Sequence, residues 1–555
     1  MAIDSGTGSI VDRFRSVVER NRERPAITFR DYGPTGDFED RTLTFGAVES
    51  AVLDLAAGIE AHPGDRIALL LPPSEHYPLS YLATLYAGGT AIPLAPPEYG
   101  KIEHLADCLR DAEPTVVVTT GDYLPAVRRM LRDQGLDGVR QVLVADDIEP
   151  GSGAGWEPVA RAGSDLAHLI YTSGSTGTPS AVMTTHRSVL ANVAECDRAY
   201  GFGDDTVAVS WMPFSFAMCL FIKVLGPLMA GGHGVYFAAQ AFIQDPLRWL
   251  AVMSETGATV SGAPNFAYER LLTSIGAADL SGIDLGSLRT LINGGERMNP
   301  DTMAQVQKAL EPLGLPAAAA TPSYGCTEAS LAAAKPVDTD YVVSEFDAAH
   351  LEVGRVRPPA GVARTLVCCG TATGQTLAIV DPDTGSPVAP GTVGEIRLAG
   401  DSVADGYWRR PEKTAEVFVV DADGRRWLRS GDLGFLHDGG LYIAGRLKEV
   451  VIVNGRNIHP PDVDATVQAL EGVLAVAVYG YEVAASEELA CVVETAETDP
   501  AAREALRKQI VRAVSRTFDV RLGGVDLVEP GAIPRATNGK ISRQSTKKQY
   551  GPQSV

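Results

Sequence analysis

The sequence predicts an α/β fold, with a large N-terminal domain of helix-covered sheets followed by a small α+β C-terminal domain. Three observations predict it. Short β-branched runs alternate with amphipathic helical stretches from Phe45 to Ile292, the pattern of parallel sheets covered by helices. After Leu377 the pattern changes to strand-like segments separated by the tight-turn sequences DPDTG and DADG, which reads as an antiparallel region. After Gly445 the pattern resets into a run of about a hundred residues, a plausible size for a separate small domain.

In chain order, Phe45–Ile59 has helical spacing, and Arg66–Leu71 is an apolar strand stopped by Pro72–Pro73. Tyr77–Gly88 is helical, and Thr90–Leu94, Thr115–Thr119 and Gln141–Val144 are short strands. Leu166–Tyr171 reads as a buried strand leading into the loop Thr172–Pro179. The alternation resumes with strands at Gly234–Phe237, Thr259–Ser261 and Arg289–Ile292. Ala348–Thr373 is irregular and rich in Gly, Pro and Arg. Ala378–Asp381, Gly394–Leu398 and Leu441–Ile443 supply the antiparallel strands. Val450–Val453, Pro461–Ala469, Val473–Tyr481, Leu489–Glu494, Ala501–Phe518 and Val525–Val528 make up the final α+β unit.

Composition narrows the function classes. At 555 residues and 45% hydrophobic content the chain can bury a large core in more than one domain. A net charge of −21 argues against nucleic acid or an anionic membrane as the main partner. Seven cysteines without a metal-like CxxC pair fit a reduced, cytoplasmic chain. No basic start followed by an apolar run marks a signal peptide. The most apolar stretch, Val207–Leu225, is broken by Pro213 and Lys223 and reads as buried core, not as a membrane span. Oligomeric state is not legible.

Five motifs carry chemistry. Thr172, Ser173, Gly174, Ser175, Thr176 and Gly177 combine hydroxyls with glycine backbone N–H groups, a set that can surround a polyphosphate. It is not a Walker A loop, and a plain Ser/Thr/Gly turn reads the same way. Asn293–Gly294–Gly295–Glu296 follows a strand, where open α/β sheets bind ligands, or is an ordinary turn. Tyr324–Gly325–Cys326–Thr327–Glu328 joins an aromatic face, a close-approach glycine and a carboxylate able to hold Mg²⁺ on phosphate oxygens; a buried Tyr and a capping Glu would look alike. Ser430–Gly431–Asp432, after the strand-like Arg426–Leu428, offers a carboxylate suited to two ribose hydroxyls. Ile533–Lys540 sets Lys540 on a Gly-containing loop, near an anionic centre or simply solvated.

Taken in this order, from about Arg20 to Gln544, the motifs resemble the adenylate-forming superfamily of acyl- and aryl-CoA ligases, peptide-synthetase adenylation domains and luciferases, and within it the fatty acyl-AMP ligases. PLRWL at Pro246–Leu250, SGAPNFAY at Ser261–Tyr268, GRLKEVVIVNGRN at Gly445–Asn457 and Pro460–Pro461–Asp462 carry the narrower likeness. Phe346–Cys369 stands where those enzymes have an insertion linked to disfavouring CoA. The resemblance implies an N-terminal core over 1–445 with a β-barrel-like subdomain, and a mobile C-terminal domain over 446–555.

It also implies an ATP- and Mg²⁺-dependent ligase that joins a carboxylate to the α-phosphorus and releases pyrophosphate. Residues 172–177 would hold the β- and γ-phosphates, and Gly294, Gly295, Glu296, Tyr324 and Gly325 would form the adenine slot. Thr327 would contact the α-phosphate, Glu328 would bind Mg²⁺, and Asp432 and Arg446 would bind the ribose. Lys540 would stabilise charge between carboxylate and α-phosphate, and Lys448 would lie at the domain hinge. Phe214, Ser215, Met218, Ala263, Asn265 and Phe266 would line the acid pocket, and an acyl carrier protein in specialised metabolism would be the acceptor.

Two departures stand out. The family's TGxPKG loop reads Thr178–Pro179–Ser180–Ala181 here, without its lysine, so weaker ATP binding is expected. The His-Asp pair of fatty acyl-AMP ligases is absent from the run Trp211–Cys219, which carries the bulky Phe214 and Phe216 instead. Drift in a pocket wall and a changed acid both account for this. Alternatives are therefore activation of a small or aromatic acid, including nitrite with an arylamine acceptor, and nucleotide binding without ligase activity.

Overall fold

A computed structural model describes residues 8–99, 102–172, 179–276, 278–453, 456–483, 486–518, 520–535 and 540–552. It divides into two compact units. The first is Met1–Val342, Cys369–Leu377 and Leu398–Leu428; the second is Val343–Cys368, Ala378–Arg397 and Arg429–Val555.

The first unit holds two large sheets. One runs, in spatial order, Gly406–Tyr407, Ser180–Thr185, Leu166–Thr172, Thr90–Leu94, Arg66–Leu70, Val116–Thr119 and Gln141–Val144. Its last five strands are parallel, with pairs such as Ile67 beside both Ala91 and Val116. The other runs Thr371–Ala372, Ser330–Ala334, Ala320–Cys326, Thr290–Gly294, Val260–Ala263, Val207–Ser210, His233–Phe237, Pro25–Tyr32 and Phe38–Thr44. Its inner strands are again parallel, and antiparallel strands close each edge. Strands buried on both faces must be apolar throughout, which is why RIALL and VVVT carry no alternation.

Helices cover the sheets. Phe45–Gly58 starts at Thr44, whose hydroxyl accepts from the Ala47 N–H, and His186–Tyr200 starts at Thr185 in the same way. The second helix ends at Gly201, where φ is +65°, a left-handed cap that glycine adopts at no steric cost. The apolar run from Val207 splits into the strand Val207–Ser210 and a π-helix over Cys219–Leu225, with a turn at Pro213 between them. Every residue of the π-helix is buried, as expected for core.

In the second unit, Val343–Asp347 and Ala363–Val367 form an antiparallel hairpin around the short helix Ala348–Glu352. The sequence reads this segment as irregular, because its two strands are short and most of its Gly, Pro and Arg residues sit between them. Arg429–His437 pairs with Gly440–Arg446. The C-terminal part packs the helices Pro460–Gln468 and Pro500–Phe518 on a sheet of Ala475–Val483, Ser486–Glu494 and Leu522–Val528. Val463, Val478, Cys491, Ile510 and Val514 form its core. Within this unit Arg364 pairs with Asp462 at 3.1 Å and Arg456 with Glu352 at 2.6 Å, so the hairpin is tied to the C-terminal part.

Candidate functional site

In the first unit, the expected site residues gather at the C-terminal ends of adjacent parallel strands, the edge where open α/β sheets take ligands. Ala263 ends Val260–Ala263, and Asn265 and Phe266 begin the helix that follows. Gly294 ends the next strand, so the Asn293–Glu296 motif starts inside the sheet and only then turns, with Gly295 at φ +78°. The two ends are fastened together. Asn265 Oδ1 accepts from Asn293 Nδ2 at 3.1 Å and from the Asn299 N–H at 3.1 Å. The Phe266 N–H donates to Glu296 Oε1 at 2.7 Å.

Tyr324 lies on the neighbouring strand Ala320–Cys326 and is 8% exposed. Gly325 faces the returning strand so closely that a Cβ there would sit 1.8 Å from the Ser330 carbonyl oxygen. The turn between the strands carries Thr327 and Glu328, both half-buried, and places Ser330 at φ +51°. Two contacts hold Glu328. Its Oε1 accepts from the Tyr407 hydroxyl at 2.6 Å, and its backbone carbonyl accepts from the Ala404 N–H at 2.8 Å. Burial and the adjacent Glu328 carboxylate raise the Tyr407 phenol, so it stays a donor. Gly325→Ala is expected to lower stability by about 1–3 kcal/mol or more, through overpacking against backbone; urea unfolding measures it.

The residues present fit a magnesium ion in one way. Among the described residues, no group of three or more His, Cys, Asp or Glu could cage a metal. A single oriented carboxylate fits an ion that takes its other ligands from phosphate oxygens and water.

The expected pocket wall is aromatic. Phe214 is buried, stacked on Tyr77 with centroids 5.3 Å apart and edge-on to Tyr236 at 5.1 Å. Trp211 stacks on Phe242 at 3.9 Å and meets Phe266 edge-on at 6.3 Å. Ser215 and Met218 are half-buried. The PLRWL and SGAPNFAY segments meet where Trp249 Nε1 donates to Ser261 Oγ at 2.8 Å.

In the second unit, Asp432 and Arg446 are direct cross-strand partners, with Arg446 Nε 3.0 Å from Asp432 Oδ1. Asp432 stands inside the strand Arg426–His437, which runs on past the Leu428 end that the sequence suggests. Asp432 is 6% exposed while Arg446 is open to solvent, so the pair presents a charged edge. Lys448 is exposed on the short turn Leu447–Glu449, and Lys540 is half-buried beside Ile541, which bridges to Arg535. Ser173, Gly174, Ser175, Thr176 and Gly177, with the side chain of Thr172, lie outside the described residues. Sequence reasoning missed Tyr407. The aromatic in Asp405–Gly406–Tyr407–Trp408 was the signal, but nothing local ties it to a residue 79 positions earlier.

The chain matches the model of the family described as AMP-binding enzyme over residues 14–408. It is 34% identical to the long-chain-fatty-acid–AMP ligase FadD26 of Mycobacterium marinum, across 98% of this chain and 97% of that protein. It is 33% identical to a 4-hydroxyphenylalkanoate adenylyltransferase of Mycobacterium tuberculosis, across 98% and 91%. Among solved structures, one from a study of fatty acyl-adenylate ligases of E. coli and L. pneumophila superposes with a TM-score of 0.88 at 27% identity, covering 99% of this chain and 98% of that one. Full-length similarity on this scale, together with the strand-end site, places the chain in the AMP-binding enzyme family.

Proposed function

We propose that this protein is an acid-adenylating ligase that activates a fatty or aryl-alkanoic acid as its acyl adenylate. The observation that carries the reading is 34% identity, over nearly the whole of both chains, to an enzyme named as a long-chain-fatty-acid–AMP ligase. The geometry supports it. Gly294–Glu296 and Tyr324 stand on neighbouring strand ends, where an adenine would slide between backbone and ring. Thr327 follows on the same chain, close to where an α-phosphate would lie. Asp432, fixed by Arg446, accepts from the ribose hydroxyls. Residues 172–177 cradle the departing phosphates, and Lys540 stabilises charge on the carboxylate and α-phosphate. Glu328 and Tyr407 hold the magnesium side, where the ion neutralises phosphate charge when bound. The acyl adenylate then passes to a carrier protein, with rotation about Lys448 exchanging one set of groups for another.

A specific observation favours an aryl-alkanoic acid over a plain long chain: the Phe214, Tyr77 and Tyr236 rings crowd the expected pocket wall, and a 33% identical relative is named for an aryl substrate. The test is pyrophosphate release with ATP, Mg²⁺ and a panel of long-chain, aryl-alkanoic and benzoic acids, with nitrite plus an arylamine as a further arm. Acid-dependent release with an aryl-alkanoic or long-chain acid is expected. Release with nitrite alone moves the substrate class, and ATP binding without release for any acid overturns the ligase reading.

A further inference from the structure

A buried polar cluster stands behind the turn that carries Glu328, and no step of the proposed reaction uses it. Glu195 projects from the helix His186–Tyr200 and is 3% exposed. Ser402 Oγ donates to its Oε1 at 2.9 Å, and Asn192 Nδ2 donates to its Oε2 at 3.2 Å. Gln375 Nε2 lies 3.3 Å from Oε2, 2.7 Å from Ser402 Oγ, 2.8 Å from the Ala329 carbonyl and 2.9 Å from the Leu331 carbonyl. One carboxamide with two protons is thus set among four acceptors, two of them on the backbone immediately after Glu328. Gly374 closes the other side. A Cβ there would sit 2.9 Å from Glu195 Cγ, so the chain crosses directly over this side chain.

The same cluster reaches Glu328 by a second route. Ser402 precedes Ala404, whose N–H holds the Glu328 carbonyl, and Tyr407 of that segment holds the Glu328 carboxylate. Glu195 is thus joined to the turn twice: through Gln375 to the Ala329 and Leu331 carbonyls that follow Glu328, and through Ser402 to the 402–407 segment that carries both supports of Glu328. An apolar residue would fill this space at lower desolvation cost. Burial instead pushes the Glu195 carboxyl up to about 7, even with its hydrogen bonds and Arg198 favouring the charged form. A buried polar group that is costly to keep and fully engaged marks a place where orientation matters.

We propose that Glu195, acting through Gln375 and Ser402, is a positioning residue that fixes the Cys326–Ser330 turn so that Glu328 is presented to the divalent cation entering with the nucleotide. The inference rests on the ligase reading above, and calorimetric titration of ATP with and without Mg²⁺ separates the two.

The wild-type chain is expected to bind ATP more tightly with Mg²⁺ than in EDTA. Glu195→Ala should cut that gain by at least about 2-fold and at most about 150-fold, the range of coupling between residues of one hydrogen-bonded network, while binding in EDTA stays unchanged. Glu195→Gln keeps the acceptor for Ser402 but turns an amide N–H toward the Asn192 and Gln375 donors, so it should lose part of the gain, less than Glu195→Ala does. Ser402→Ala, the milder cut, should move binding in the same direction as Glu195→Ala should that variant fold poorly. The double variant Glu195→Ala/Glu328→Ala should lose no more than Glu328→Ala alone. An unchanged magnesium gain in Glu195→Ala, or losses that add in the double variant, overturns the inference. A wild-type chain that binds no ATP overturns the ligase reading instead.

Discussion

Lys540→Ala is expected to lower acid-dependent pyrophosphate release by about 10²–10³, the loss that follows removal of one preorganised group facing developing charge in a dry site. In the proposed reaction a carboxylate oxygen attacks the α-phosphorus, and negative charge grows between two groups that repel each other before the bond forms. A lysine ammonium at that point stabilises the transition state more than either reactant, so the loss should fall on kcat and leave the KM for the acid little changed. Lys540 is half-buried, next to a short bridge between Arg535 and Ile541. Single-turnover formation of the adenylate, trapped and quantified by mass, measures the effect directly. A Lys540→Ala enzyme with wild-type adenylate formation, even one slow in transfer to the acceptor, would remove this residue from the first half-reaction.

The parallel core was legible because its signal is local. Ile67–Leu70 and Val116–Val118 are unbroken apolar runs, and the ends of RIALL and VVVT are read to within a residue or two. Thr90–Leu94 and Gln141–Val144 match the structure end to end. What local reading cannot show is pairing between distant segments. The hairpin Val343–Asp347 with Ala363–Val367 was hidden because fifteen residues of Gly, Pro and Arg character separate two short strands. The continuous strand Arg426–His437 was cut short in sequence by Ser430–Gly431, a dipeptide that usually turns the chain. Here Ser430 Oγ donates to the Ile396 carbonyl at 2.6 Å and the strand runs on.

The candidate site divides along the same line. Glu328 and Asp432 were legible as carboxylates on Gly-containing motifs, but the groups that orient them were not. Arg446 was named through the family resemblance, but Tyr407 reaches Glu328 across a pairing that no spacing rule encodes, and Glu195 sits on a helix whose sequence, HRSVLANVAECDRAY, gives no sign that its one glutamate points inward. Residues that touch a ligand carry a chemical signature. Residues that aim them carry only a position in three dimensions.

Lys223→Met is expected to stabilise the protein at neutral pH, by as much as about 5 kcal/mol if the full shift of its ammonium is expressed. Lys223 is wholly buried in the π-helix Cys219–Leu225, and its Nζ has no hydrogen-bond partner among the described residues. Burial lowers its amine to about 7. The nearby thiols Cys219 and Cys196 are themselves pushed up by burial, Cys219 to about 12, so neither offers a thiolate to pair with at pH 7. The sign follows from proton binding. The folded-state value lies below the roughly 10.4 of the unfolded chain, so between pH 7 and about 10.4 the unfolded state binds the extra proton, and stability rises with pH across that window. Below pH 7 the penalty is present in full. Methionine has nearly the same length, needs no hydration and repacks easily, so the variant should resist more urea at pH 7 and lose that advantage toward pH 10. A difference independent of pH, or a destabilised variant, would mean that the amine is paired. If the variant gains stability but loses acid turnover, the amine is kept for the proposed acid pocket, to which Phe214, Ser215 and Met218 are assigned, since proteins retain costly buried charge where activity depends on it.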